Sequence, residues 1–127
     1  QIGVRHTLPE HDFNVIPGHE VIDMKGTEIA QRIREVVGDN PCYISLDVDG
    51  MDPAFAPGTG TPVPGGLTSM QQRQILWNLK GLNVVGADVV EVSPPYDPTG
   101  QTANIAAGCA IDLMHVLAES RRLNGKG

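Results

Sequence analysis

The chain has 127 residues, 40% of them hydrophobic and 19% charged, the balance of a globular protein with enough length to bury one core. Nine basic against fifteen acidic side chains give a net charge of −6, and no Lys/Arg cluster offsets it locally, which argues against a nucleic-acid partner. No apolar run has the length of a membrane span and no secretory leader pattern is visible, so neither a membrane nor an export role is expected.

Gln1-Ile2-Gly3-Val4-Arg5 reads as a strand already in mid-fold, since the sequence does not open on Met. A polar loop through His6, Pro9, His11, Pro17 and His19 follows. A first helix is expected over about 27–37: Thr27 suits the N-cap, Ile29, Ile33, Val36 and Val37 share one face, and Gly38 can close the end. Cys42-Tyr43-Ile44-Ser45-Leu46-Asp47-Val48 is the next strand.

Residues 50–67 are rich in proline and glycine and show no periodicity, the mark of a functional loop when found inside a domain. Thr68 and Gln71 form a capping-box pattern for a helix to about Lys80, with Gly81 as its stop. Asn83 to Val92 is apolar and β-branched, and Ser93-Pro94-Pro95 ends it because proline has no N–H for the ladder. A last helix over about 102–122 places Ile105, Cys109, Leu113, Val116 and Leu117 on one side, with Arg121 and Arg122 at its negative end. The alternation of strands and helices predicts an α/β fold, three-layered, with a mostly parallel sheet covered on both faces. Cys42 and Cys109 lie in separate apolar stretches and read as reduced core thiols of a cytoplasmic protein, not a disulfide or a metal pair.

In open α/β sheets, ligands gather at the carboxyl ends of strands. Asp47, Asp49 and Glu91 occupy such ends. Asp47 and Asp49 are two apart, so an extended backbone would turn both to one face, where a cation must offset their repulsion. Hard oxygen donors suit Mg²⁺, Ca²⁺ or Mn²⁺. A plain turn is the competing reading, because Asp49-Gly50 and Asp52-Pro53 are common turn formers. An EF-hand loop counted from Asp47 fails, since its glycine position holds Asp52 and its final glutamate position holds Gly58. Gly58-Thr59-Gly60 is no phosphate cradle either, lacking a following Gly-Lys-Ser/Thr.

The run from Ser45 to Thr68, SLDVDGMDPAFAPGTGTPVPGGLT, closely resembles the signature of the ureohydrolase family, which includes arginase, agmatinase, guanidinobutyrase and proclavaminate amidinohydrolase. IGVR at residues 2–5 and VGADVVEVSPPYD at residues 85–97 extend the resemblance over nearly the whole chain. The resemblance implies an arginase-like fold and hydrolysis of a guanidino compound to urea and an amine. It implies that Asp47 bridges two Mn²⁺ ions and Asp49 binds one of them. Guanidinium is a poor electrophile, and two metals about 4 Å apart can lower the pKa of a shared water enough to supply hydroxide at neutral pH. Glu91 would pair with the guanidinium and position its carbon. Thr61 matches a threonine that helps hold the guanidino group, with a loop-stabilising hydroxyl as its alternative. Asp52 is expected to fix the loop.

The family site also uses a His and a central Asp-x-His-x-Asp motif. No such motif occurs in these residues, and His6, His11, His19 and His115 are isolated and read as non-ligands. Residues 1–127 are therefore expected to be the carboxy-terminal part of a single domain, with the amino-terminal metal-ligand half absent, and the chain alone to bind Mn²⁺ weakly and be inactive. Exposed strand edges would follow, favouring association.

No acid stands between Arg5 and Glu10, where arginases place residues that read the substrate's α-amino group, so agmatine fits better than arginine. Ser93-Pro94-Pro95-Tyr96-Asp97 resembles guanidinobutyrase-type members as much as agmatinases, which makes 4-guanidinobutyrate the second substrate. The resemblance further implies a homo-oligomer, trimeric or hexameric. Two readings from other classes are a non-catalytic binding module and a Ca²⁺-stabilised structural domain.

Overall fold

The computed structural model describes residues 1–6 and 12–125. Strand β1, Ile2–Val4, pairs in parallel with β2, Ile16–Pro17, and a single helical turn, α1 at Gly18–Val21, follows directly. The expected polar loop is thus interrupted by a short strand and a turn of helix that carry Pro17 and His19. His11 and Pro9 lie outside the described residues.

Helix α2 spans Gly26–Val37, one residue earlier than its sequence suggests. Lys25, not Thr27, stands at its N-cap, and the Lys25 N–H donates to Glu28 Oε2 at 2.7 Å. The early start has a packing cause. A Cβ on Gly26 would come within 2.5 Å of the Gln71 carbonyl oxygen, so only glycine lets α2 approach the next helix this closely. That helix, α3 at Ser69–Asn78, opens on the expected capping box: Gln71 N–H donates to Thr68 Oγ1 at 3.1 Å, and Thr68 N–H to Gln71 Oε1 at 2.9 Å. It ends two residues before Lys80, and Gly81 follows at φ +92°.

Strands β3, Cys42–Asp47, and β4, Val84–Val90, form a second parallel pair, with Ile44 opposite Ala87, Leu46 opposite Val89 and Asp47 opposite Val90. Among the described residues the sheet therefore consists of two separate pairs, β1–β2 and β3–β4, instead of one continuous ladder. Helix α4, Gln101–Leu123, packs on β4 and α3 and completes a layer with α2 and α3. β3 turns Ile44 and Leu46 toward that layer and leaves Tyr43, Ser45 and Asp47 exposed. Among the described residues helices cover one face of this pair, as part of the three-layered α/β arrangement expected from the sequence.

The interior has two apolar clusters that share Ile44. One gathers Val21, Ile29, Ala30, Ile75, Leu79 and Val116, and the other Leu46, Val48, Met51, Leu76, Cys109 and Leu113. Cys42 and Cys109 are free thiols, Cys109 fully buried and Cys42 partly, and burial pushes both thiols up from their ordinary pKa. No described helix is long and apolar enough to cross a membrane.

Candidate metal centre

β3 stops at Asp47 because residues Val48–Gly50 tighten into a 3-10 turn. The Asp47 carboxylate accepts the Asp49 N–H at 2.8 Å and so fixes that turn. The two acids are brought together by this turn and not by extended alternation, a correction to the simple strand geometry. An Asx-type bond competes successfully with the ladder at the first residue beyond the sheet.

Thr61 Oγ1 donates to Asp49 Oδ2. The other carboxylate oxygen, Asp49 Oδ1, is buried and has no hydrogen-bond partner. A buried, unpartnered carboxylate oxygen is costly unless a cation or donor meets it. Burial raises the Asp47 carboxyl above the usual range and the Asp49 charge adds to this, while the Asp49 N–H and Arg5 partly offset them. Both effects favour a positive charge between the two acids. The donor set fits a hard divalent ion, but two carboxylates fill only part of an octahedral shell. Among the described residues no three His, Cys, Asp or Glu side chains are grouped closely enough to hold a metal ion.

The loop that carries Thr61 is tied down at several points. Asp52 N–H donates to the Leu67 carbonyl at 2.9 Å, and Leu67 N–H to the Gly50 carbonyl at 2.9 Å. The Asp52 carboxylate accepts from Ala54 N–H at 2.9 Å and Gly65 N–H at 2.8 Å, and these bonds hold it below the ordinary carboxylate range. Both Asp52 oxygens are thus engaged by the loop backbone.

Glu91 is the residue after β4, one step beyond the ladder partner of Asp47. It is exposed, and at φ +71° it is the one described non-glycine residue in the left-handed region. Such a conformation persists only where its surroundings impose it. Val92 bridges Thr59, and Ser93 N–H donates to the Gly58 carbonyl at 2.9 Å, so the chain on the far side of Glu91 is clipped to the loop.

That clip is itself anchored. Gly58 N–H donates to Thr102 Oγ1 at 2.8 Å, while the Asp97 carboxylate accepts from Thr102 N–H at 3.0 Å and Ala103 N–H at 2.8 Å. Asp97 thereby caps α4, whose own N-cap residue, Gly100, has no side chain to do so. Sequence reading did not single out Asp97, although an acid a few residues ahead of a helix is the signal for it. Arg5 was also unassigned. It reaches the Asp49 carbonyl, donates to the Gly3 carbonyl at 2.7 Å, and keeps a buried Nε without a partner.

Asp47, Asp49 and Thr61 line one groove of about 1100 Å³, and Glu91 stands outside it on the neighbouring strand tip. His6 and His19 are exposed near β1 and on α1, and His115 is exposed on α4.

Residues 1–116 match the family model described as the arginase family. The guanidinopropionase of Pseudomonas aeruginosa is 46% identical over 129 residues, covering 94% of this chain and 41% of that protein. An agmatinase of Escherichia coli is 43% identical over 122 residues, covering 95% of this chain and 40% of that protein. The crystal structure of a hypothetical agmatinase from Burkholderia thailandensis superposes with a TM-score of 0.90 at 43% identity, covering 96% of this chain and 39% of that one. The chain thus spans about 40% of the length of the curated relatives it matches. Through motif, fold and sequence together, it belongs to the arginase family.

Proposed function

We propose that this chain supplies part of the active site of a Mn²⁺-dependent ureohydrolase that cleaves a short guanidino compound to urea and an amine. The observation that carries the reading is the unpartnered, buried Asp49 Oδ1 beside Asp47 at a strand tip, next to the strand tip that bears Glu91. Asp47 and Asp49 would hold the metal, two ions per complete site. Held by these two acids together with further ligands, the metal would supply an activated nucleophile at neutral pH.

The chain's own residues then account for binding and orientation. The Glu91 carboxylate pairs with the cationic guanidinium, and its fixed backbone limits where that pair can form. Thr61 buttresses Asp49 through its hydroxyl and keeps two lone pairs for a guanidino N–H. Further ligands are needed beyond these two acids, so the chain alone binds Mn²⁺ weakly and does not turn over.

Agmatine is the first substrate. An ω-guanidino acid is the second, favoured by the 46% identity to a protein named guanidinopropionase. Mn²⁺ titration of the chain against Asp47→Ala and Asp49→Ala tests the assignment: weak binding should vanish in both variants, and unchanged binding would overturn it. Robust urea release by the chain alone with excess Mn²⁺ would overturn the need for further ligands.

A further inference from the structure

The asparagines of the chain are Asn14, Asn40, Asn78, Asn83, Asn104 and Asn124. Five of them precede Val15, Pro41, Leu79, Val84 or Ile105, residues whose bulk, or whose missing N–H in the case of proline, hinders attack by the following backbone nitrogen on the asparagine side chain. Asn124 alone precedes glycine, and Gly125 puts no Cβ in the way. Asn124 is also exposed, at the carboxyl end of α4.

We propose that Asn124 is a site of self-modification, converted through a succinimide to aspartate and isoaspartate at a rate set by the opening of the last turn of α4. The Gly125 nitrogen attacks Asn124 Cγ, loses its proton to solvent, and closes a five-membered imide as the Cγ–Nδ2 bond breaks and ammonia leaves. Water then opens the ring. Cleavage at the side-chain carbonyl leaves aspartate, and cleavage at the main-chain carbonyl leaves isoaspartate, whose main chain runs through the former side chain.

The folded helix end holds both partners away from that reaction. Asn124 has a ψ of 13°, which turns the Gly125 nitrogen to the side opposite the Asn124 side chain. Asn124 Nδ2 donates to the Ser120 carbonyl at 2.8 Å, and Asn124 N–H donates to the same carbonyl at 3.0 Å, so side chain and backbone are both tied one turn back. Leu123 adds a packing restraint, since its Cδ1 lies 3.6 Å from where a Cβ on Gly81 would stand. Ring closure therefore needs the last turn to let go, a local opening of the kind that helix ends undergo most readily. The product then works against the helix. Aspartate at 124 has no N–H to give the Ser120 carbonyl, and its charge sits at the negative end of α4. Arg122 is already paired with Glu119, at 2.6 Å, and is not free to offset it.

The proposal is independent of the ureohydrolase reading, and its test needs no metal or substrate. The chain is incubated at neutral pH, folded and in urea, and peptide mass spectrometry follows the amide-to-acid mass gain at each asparagine. In urea Asn124 should convert faster than the other five, and a faster conversion elsewhere overturns the site. The folded chain should convert Asn124 at least fivefold more slowly than the unfolded chain, and equal rates overturn the protection by the helix end. Leu123→Gly loosens the last turn and should give a rate between those two, whereas the parent's folded rate would overturn the role of that turn. Asn124→Asp should speed hydrogen exchange at the amides of residues 123 and 124 at least threefold and leave β3 unchanged. Unaltered exchange there overturns the claim that the product loosens the end of α4.

Discussion

Gly58→Ala probes the joint that ties Thr61, Glu91 and α4 together. A Cβ at Gly58 would lie 2.4 Å from Asp97 Cβ, 2.8 Å from Asp97 Cγ and 2.9 Å from Thr102 Oγ1. Asp97 cannot step aside, because its carboxylate is held by the N–H groups of Thr102 and Ala103. The loop must move instead. Movement breaks the bond from Gly58 N–H to Thr102 and the bond from Ser93 N–H to the Gly58 carbonyl, each about 1 kcal/mol net. Residual overpacking adds about 1 kcal/mol or more, for a loss of about 3 kcal/mol. With a urea m-value of about 2 kcal/mol/M, the denaturation midpoint should fall by about 1.5 M. Gly60→Ala is the control, since nothing lies within 4 Å of its added Cβ, and its stability should stay within about 0.5 kcal/mol of the parent, a midpoint shift of at most about 0.25 M. Equal midpoints for the two variants would refute the claim that Gly58 is a close-packed joint.

Three other outcomes are expected. Glu91→Gly should raise stability by about 1 kcal/mol, because the left-handed backbone at φ +71° no longer carries a Cβ, and should weaken guanidinium binding in the completed enzyme; a loss of stability in chemical denaturation would contradict the strain. The Asp97 carboxyl is held below its ordinary value, first by the Ala103 N–H and then by the other amides at the start of α4. A depressed folded pKa contributes stability above the unfolded value of about 3.9 and loses it as pH falls through the folded value, so Asp97→Asn should flatten the acid limb of a stability-versus-pH curve below about pH 4. Ile29→Ala empties a fully buried site facing α3 and should cost about 3 kcal/mol, a drop on the order of 10 °C in Tm by circular dichroism; a change under about 1 kcal/mol would mean the site collapses around the smaller side chain.

The elements with strong local signals were legible in the sequence. Thr68 and Gln71 announced α3 because their reciprocal bonds need only residues three apart, and the β-branched run of β4 needed only its own composition. The start of α2 was misread because it is decided at Gly26 by the Gln71 carbonyl, a contact from a different helix. β2 is two residues long and holds its place through a parallel partner more than ten residues away, so no periodicity could reveal it. The same contrast runs through the site. Asp47 and Asp49 were legible as a pair from spacing alone, but what joins them is a side-chain-to-backbone bond that forms only where the ladder ends. Arg5 and Asp97 act on backbone groups far along the chain or across a turn, and backbone acceptors and donors leave no mark in a sequence.

The arrangement assigns different mechanical tasks to the two strand tips. Glu91 stands in a conformation that its own side chain disfavours, and the Thr59–Val92 bridge, the Gly58–Ser93 bond and the Asp97 cap form a chain of restraints that ends in a 23-residue helix packed against the core. A carboxylate meant to orient a cation gains from such rigidity, because any freedom it kept would be lost again on binding. Asp49 is held through one oxygen by Thr61 and through its own turn, while its second oxygen is buried without a hydrogen-bond partner. A metal ligand left partly unsatisfied is a high-energy element in isolation and a binding element once a cation and further donors arrive. Under the proposed function, the rigid tip orients the guanidinium and the unsatisfied tip gains most when a metal ion and its further donors arrive.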